Sequence, residues 1–514
     1  MRLREPIDCA LEYDLNRTIP NKDPRIWAQT LQHLVLSALN DKRYENIADA
    51  YGNVVTRQGI FKVKNDLERL GVGVGDVVMI KAKNDCVGVT SLLGVWLQGC
   101  AACPVDPSAP AAVHDLVQEH SHASAVIDAD GTLTPCGEKA EGSTIQKPNT
   151  RATGVDLALI IFTSGSSGKP KGVLLTHSNV MSSLRAISTY LEITEEDHIA
   201  CVPPMFLDYG LYQVLFVLFT NCQLVLASDM RNPIKILSFI KEKQPTILPV
   251  IPALASGLAT VLNTFNQTVE SLRLVTNTGG HLAPSTIEAM NKSFPRADIF
   301  PMYGLTETKR ALYLPPNFVK SKPGSVGGPM PGLDARVIIK TEDGDLIEAL
   351  PNEIGELYLR GSSVMQGYHS NDNNAGARII HGRYRDDIWL ATGDLFERDE
   401  DGCLYFRGRT KSLIKQKGFC IYPRDVEAAV EQLPEVGSAA VVGRMESDGD
   451  ESAILFVVLK DKATDEKKNE LRTSILNVLH KSLQPREIHF LPEWPALPVG
   501  KIDFGRLEQM AKEK

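Results

Sequence analysis

The sequence predicts an α/β protein with large, mostly parallel sheets, followed by a β-rich segment and a small α+β unit. Three observations carry that prediction. Strand-like and helix-like stretches alternate up to about residue 304, short β-like pieces separated by DG and NE turns begin near residue 330, and helix and strand alternate again beyond GRTKSL at 408–413.

FKVKNDLERLGV (61–72) has helical spacing, VVMIKA (77–82) reads as a strand, GVTSLLGVWLQG (88–99) as a helix and PVDPSAP (104–110) as extended chain. This is how a strand-helix-strand unit is written, and the pattern recurs near 158–228 and 234–304. GVGVGD (71–76) follows a helix and precedes a strand, the reverse of a dinucleotide fingerprint, so it reads as a helix C-cap and turn. YGLYQVLFVLFT (209–220) is about half the length of a bilayer span and is closed by Asn221 and Gln223; a buried helix is expected. ARVIIK, GELYLRG and CLYFRG supply the β-rich segment, and RDVEAAVEQL, SAAVVGR, AILFVVL and ATDEKKNELRTSILNVLHKSL (463–483) the last unit.

The 514 residues, 43% hydrophobic, can bury more than one core. A net charge of -8 with scattered basic residues offers no field for nucleic acid. The charged opening MRLREPIDCALEYDLNRTIP has no apolar signal core, so a cytoplasmic protein without a membrane span is expected. Nine irregularly spaced cysteines argue against a disulfide framework, and the lone Cys100/Cys103 pair reads as packed core.

The stretch TSGSSGKPKG (163–172) follows the apolar LALIIF and precedes VLLTH. A Walker loop needs four residues between its first glycine and the Gly-Lys, but two separate Gly165 from Gly168-Lys169, and Pro170 follows. Backbone N–H groups, hydroxyls and a lysine can still cradle phosphate oxygens. Alone, the stretch remains ambiguous between such a cradle and a plain connection.

TSGSSGKPKGVLLTH resembles the signature of the adenylate-forming superfamily of acyl- and aryl-CoA synthetases, peptide-synthetase adenylation domains and luciferases. PVDPSAP, MYGLTET (302–308), TGDL (392–395), GRTKSLIKQKGFCIYPRDVE (408–427) and PVGKIDFGRL (498–507) resemble it too, in the family's order. The resemblance implies a large N-terminal core, 1–408, of two α/β subdomains plus a β-rich subdomain at about 330–408. A mobile lid, 409–514, would hinge near Lys411. It further implies attack of a carboxylate on the α-phosphate of ATP, release of pyrophosphate, and passage of the acyl group to the thiol of CoA or of a carrier protein's phosphopantetheine.

Setting a carboxylate against a polyphosphate is repulsive, roughly 4 kcal/mol per like-charge pair at about 4 Å in an effective dielectric near 20, so cations must offset it. By the resemblance, Lys501 is the catalytic lysine, Thr306 donates to the α-phosphate and Glu307 binds Mg²⁺. ATP would lie against Thr163, Ser164, Gly165, Ser166, Ser167, Gly168, Lys171, Gly280, Tyr303, Gly304, Thr306, Asp394 and Arg409, with Asp394 on the ribose. Gly418 would line the pantetheine tunnel. The acyl pocket would involve Asp208, Tyr209, Tyr212, Gly279, Gly280 and Arg310.

Asp208 occupies a place where family members that activate amino acids have an aspartate for the substrate ammonium. Arg310 offers two other readings: an internal partner for Asp208, or a contact for a second acidic group on the substrate. The chain ends soon after Lys501, so a separate acceptor is expected: CoA, a stand-alone carrier protein, or an amine, as in amide synthetases. A non-catalytic nucleotide sensor is the competing class.

Overall fold

The computed structural model describes Asp23 and residues 28–136, 151–164, 170–227, 232–369, 379–382, 384, 387–416, 419–446, 451–461, 463–496 and 502–513. The chain divides into two compact units. The first comprises Met1–Pro316, Pro329–Asp334 and Arg360–Ile379, the second Asn317–Gly328, Ala335–Leu359 and Ile380–Lys514.

One sheet of the first unit contains, in succession, Ile47–Asp49, Gln223–Leu226, His198–Cys201, Ile247–Val250, Leu274–Asn277, Asp298–Tyr303 and Leu312–Tyr313, with the short Gly328–Pro329 beyond. Its neighbours are parallel as far as Asp298–Tyr303, and Leu312–Tyr313 pairs antiparallel with that strand. Parallel neighbours need long crossovers. Helices Asp208–Thr220, Pro233–Lys243, Pro252–Thr264 and Pro284–Ser293 lie in those connections. Asp208–Thr220 is buried from Tyr209 through Phe219, as its all-round apolar sequence requires.

A second sheet runs Gly367–His369, Pro170–Thr176, Leu157–Ser164, Ala101–Val105, Val77–Lys81, Ala125–Ile127, Leu133–Pro135. The expected strand-helix-strand unit is there: Val77–Lys81 lies parallel to Ala101–Val105, joined through helix Cys86–Leu97, whose first turn is capped by Asp85. Helix Arg57–Arg69 ends before Gly71, at φ 66°, and the amide of Gly71 donates to the Glu68 carbonyl at 2.8 Å. GVGVGD is thus a turn. Leu157–Ser164 and Pro170–Thr176 pair antiparallel with Thr163 opposite Lys171, so the glycine-rich stretch links two strands of a hairpin, unlike a Walker loop.

In the second unit, Leu346–Glu348, Leu333–Lys340, Ile354–Gly361 and Ile388–Arg398 are successive neighbours in one sheet, and Leu404–Arg409 also pairs with Ile388–Arg398. Farther along, Val436–Met445 runs antiparallel to Glu451–Leu459, and Glu487–Leu491 parallel to it. Alternate residues serve opposite faces. Val441, Leu455 and Val457 pack with Val426, Val430, Leu471 and Ile475, while Val442, Ile454 and Phe456 pack with Leu507 and Ala511. The charged helix expected over 463–483 stops at Val478, where His480 caps a separate turn, Lys481–Leu483, by accepting from the Ser482 amide. Among the described residues no helix is long and apolar enough to cross a membrane.

Candidate active site

Strand Asp298–Tyr303 turns back into Leu312–Tyr313, and the connection carries Thr306, Glu307, Lys309 and Arg310. The turn is tight. A Cβ on Gly304 would lie 2.1 Å from the Lys309 carbonyl oxygen, which only glycine avoids. Amides of Thr308 and Lys309 donate to the Leu305 carbonyl at 3.0 and 2.7 Å, and that of Ala311 to Tyr303 at 2.9 Å. Lys309 takes a left-handed backbone, φ 70°, and its Nζ donates to the Thr306 carbonyl at 2.9 Å. The hairpin leaves the sheet at the carboxyl ends of parallel strands, where open α/β sheets bind ligands. Gly279 and Gly280 follow strand Leu274–Asn277 at the same end.

Glu307, 7% exposed, accepts from the Tyr368 hydroxyl at 2.5 Å. Tyr368 lies opposite Val173 in the second sheet, and Lys171 Nζ stands 5.6 Å from the centre of its ring. The structure therefore gathers Thr163 and Lys171, at the rims of the glycine-rich stretch, with Glu307, through a tyrosine. Neither Tyr368 nor Lys309 was expected from the sequence. Lys309 had a signal, a basic pair between YGL and ALYL; Tyr368 had none.

Asp208 is the first residue of its helix and is half-buried, a position that suits a carboxylate against the helix N-terminus. Its carboxylate and that of Glu307 favour the Lys309 ammonium, but burial outweighs them and pushes the amine down to about 8. Arg310 does not pair with Asp208: among the described residues its guanidinium makes no hydrogen bond or ion pair. It lies over the Tyr209 ring at 4.6 Å and near Tyr212 at 5.8 Å. The Tyr209 hydroxyl donates to Thr276 O at 2.8 Å, and that of Tyr212 bonds Ser183 Oγ, so both present ring faces rather than free hydroxyls.

Within the second unit, Asp394 lies opposite Arg409 on neighbouring strands, with Nε of Arg409 3.2 Å from Oδ1 of Asp394. Gly393, at φ 75°, donates its amide to Glu356 at 2.7 Å, and Thr410 donates to the Gly393 carbonyl at 3.0 Å. Lys411 lies in the short turn Thr410–Ser412. Gly165, Ser166, Ser167, Gly168, Gly418 and Lys501 lie outside the described residues, as does the side chain of Ser164.

Residues 61–369 match the AMP-binding enzyme family, and 425–501 the AMP-binding enzyme C-terminal domain. The chain belongs to the AMP-binding enzyme family. Among relatives of this AMP-binding chain, a long-chain-fatty-acid–CoA ligase of Bacillus subtilis is 30% identical over 72% of the chain. A probable CoA ligase, CCL5, of Humulus lupulus is 29% identical over 70%. In both cases the match spans 64% of the relative's own length. The structure of ATP-bound MatB from Rhodopseudomonas palustris has the same fold, with a TM-score of 0.80 at 23% identity, covering 94% of this chain and 99% of that one.

As an AMP-binding enzyme, the chain has a donor set that suits a hard cation shared with phosphates. Mg²⁺ is typically held by one or two carboxylates with waters and phosphate oxygens. A buried carboxylate steadied by one tyrosine hydroxyl meets that need without a cluster of protein ligands.

Proposed function

We propose that the chain activates a carboxylic acid with ATP in the cytoplasm, forming an acyl-adenylate and pyrophosphate, and passes the acyl group to a thiol of CoA or of a separate carrier protein. The observation that carries this reading is the Gly304-closed hairpin, which holds Thr306 and Glu307 beside Tyr368 and Lys171. Thr306 donates its hydroxyl to an α-phosphate oxygen. Glu307 would hold Mg²⁺, which would supply positive charge against the phosphates. Thr163 and Lys171 flank the phosphates, while Tyr303, Gly304, Gly279 and Gly280 give the adenine and acyl group close access to backbone. Asp394 accepts from the ribose hydroxyls, and Arg409 joins it at the nucleotide. Lys501 stabilises charge developing at the attacked phosphate. Rotation at Lys411 exchanges that lysine for Gly418 and the thiol arm.

A pyrophosphate-release screen over carboxylic and amino acids, with mass spectrometry of the acceptor product, tests the reading. Lys501→Ala is expected to lower adenylate formation about 10²-fold or more while ATP still binds. Near-normal release by that variant would overturn the role of Lys501, and no release from any acid would overturn the function.

A further inference from the structure

We propose that the acid activated here is a dicarboxylic acid, and that Arg310 selects it by pairing with the carboxylate that is not activated. The inference rests on the adenylation reading above. Arg310 is 2% exposed, and its Nε is buried without a partner. Among the described residues no carboxylate or carbonyl meets any of its donors. Buried charges are ordinarily paired, and arginine cannot escape by losing its proton. Its immediate neighbours do not supply an anion. Tyr209 and Tyr212 lie beneath it and Tyr190 also feels its charge, and burial pushes all three phenols up, Tyr209 to about 12. Ring faces attract a guanidinium by only about 0.5–2 kcal/mol, short of what an unpaired buried cation needs.

Asp208 and Glu307 both favour the Lys309 ammonium, and Glu307 also accepts from Tyr368. Asp208 has the helix N-terminus as well, so a substrate ammonium is not needed to explain it. Among the described residues, what the cluster lacks is an anion on Arg310. A guanidinium on a flat aromatic support presents its fork of donors in one plane, the geometry that carboxylates accept bidentately. Arg310 follows the Thr306–Glu307 segment on the same hairpin, so a carboxylate on it belongs to the molecule being activated.

The test uses the full chain and pyrophosphate release with matched acids: glutarate, pentanoate and 2-aminopentanoate, then phthalate, benzoate and anthranilate. In at least one set the diacid should exceed its partners by about a hundredfold in kcat/KM, because a site with a buried polar group rejects a ligand that leaves it unpaired. Arg310→Met, which can still cover the tyrosines, should collapse that ratio through the KM for the acid and not that for ATP. Arg310→Lys should restore part of it. An ATP-induced rise in Tm shows that each variant is folded. The proposal fails if monoacids or amino acids turn over as well as diacids, or if Arg310→Met weakens every acid or ATP alike. Pyrophosphate release with monoacids alone sinks this inference only, whereas no release with any acid sinks the adenylation reading too.

Discussion

Arg310 and Arg409 carry the same guanidinium into opposite surroundings. Arg310 is buried on tyrosine rings with no anion among the described residues, whereas the side chain of Arg409 is 72% exposed and already touches Asp394. A pair whose cation stands in water contributes little to stability, on the order of 0–1 kcal/mol, because water screens that side and the arginine loses freedom. Such a pair opens readily to admit another partner. A buried, unpaired cation is costly in the free protein, and that cost is relieved only when an anion arrives. The difference between the two arginines teaches which charge has an unmet need for a partner and which already has one.

The comparison breaks most directly at the hairpin bearing Arg310. Glu307→Gln should lower adenylation about 10²- to 10³-fold, the scale for losing one preorganised electrostatic group, with a raised requirement for Mg²⁺ in a metal titration of pyrophosphate release. Tyr368→Phe should shift the same titration less, since the carboxylate survives without its 2.5 Å hydroxyl. If Tyr368→Phe were the worse of the two, Glu307 would be serving the fold and not the metal.

Gly304→Ala tests whether the turn itself sets the position of Arg310. The added Cβ would sit 2.1 Å from a backbone oxygen, so the turn must open. Overpacking of this kind costs about 1–3 kcal/mol. Urea unfolding should show that loss, and the dicarboxylate preference should weaken with it. An unchanged midpoint would mean that the hairpin is looser than its hydrogen bonds indicate.

How far these features could be read beforehand depended on the distance over which they are made. The buried helix Asp208–Thr220 was legible because an unbroken apolar run names its own surroundings. The turn at GVGVGD was legible because glycine spacing and the following strand are local. Thr306, Glu307 and Asp394 stand out in the sequence through resemblance, since their motifs are contiguous, and their roles rest on the proposed function. The hydrogen bond from Tyr368 to Glu307 joins residues 61 apart across two sheets, and nothing near either residue announces it. Arg310 was visible as a charge beside Asp208, but its isolation depends on how Tyr209 and Tyr212 turn their rings, which sequence spacing does not specify. The end of the charged helix at Val478 was missed because Leu479 turns to extended backbone without a glycine or proline to signal it, and His480 caps the next turn by a side-chain bond.

His177 sharpens the contrast, because it shows what a buried basic group does when it is able to shed its charge. It is fully buried, and its Nδ1 accepts from the Leu31 amide at 3.1 Å, so burial depresses it from an ordinary 6.5 to about 4. The unfolded chain therefore takes up the proton first. Stability from this group is intact above about 6.5 and falls as pH drops towards about 4. Near neutrality the effect vanishes. His177→Asn, which keeps an acceptor for Leu31, should flatten the stability profile in that acid window; an unaltered slope would place the acid sensitivity elsewhere.

Arg409 should give the smallest effect on stability, and that smallness is itself the test. Asp394 is buried in a strand, but its partner reaches it from solvent, so Arg409→Ala should open that side of the carboxylate to water. The change in unfolding free energy should stay within about 1 kcal/mol. If Asp394 accepts from the ribose, removing Arg409 leaves that acceptor in place and takes away one positive charge at the nucleotide. KM for ATP should then rise modestly, and more at low salt than at high, because an exposed charge acts through screened electrostatics. The ranking of acids should not move at all. Were Arg409→Ala to alter the diacid-to-monoacid ratio as Arg310→Met does, the division of labour between the buried and the exposed arginine would be wrong, and both charges would have to be reading the same ligand.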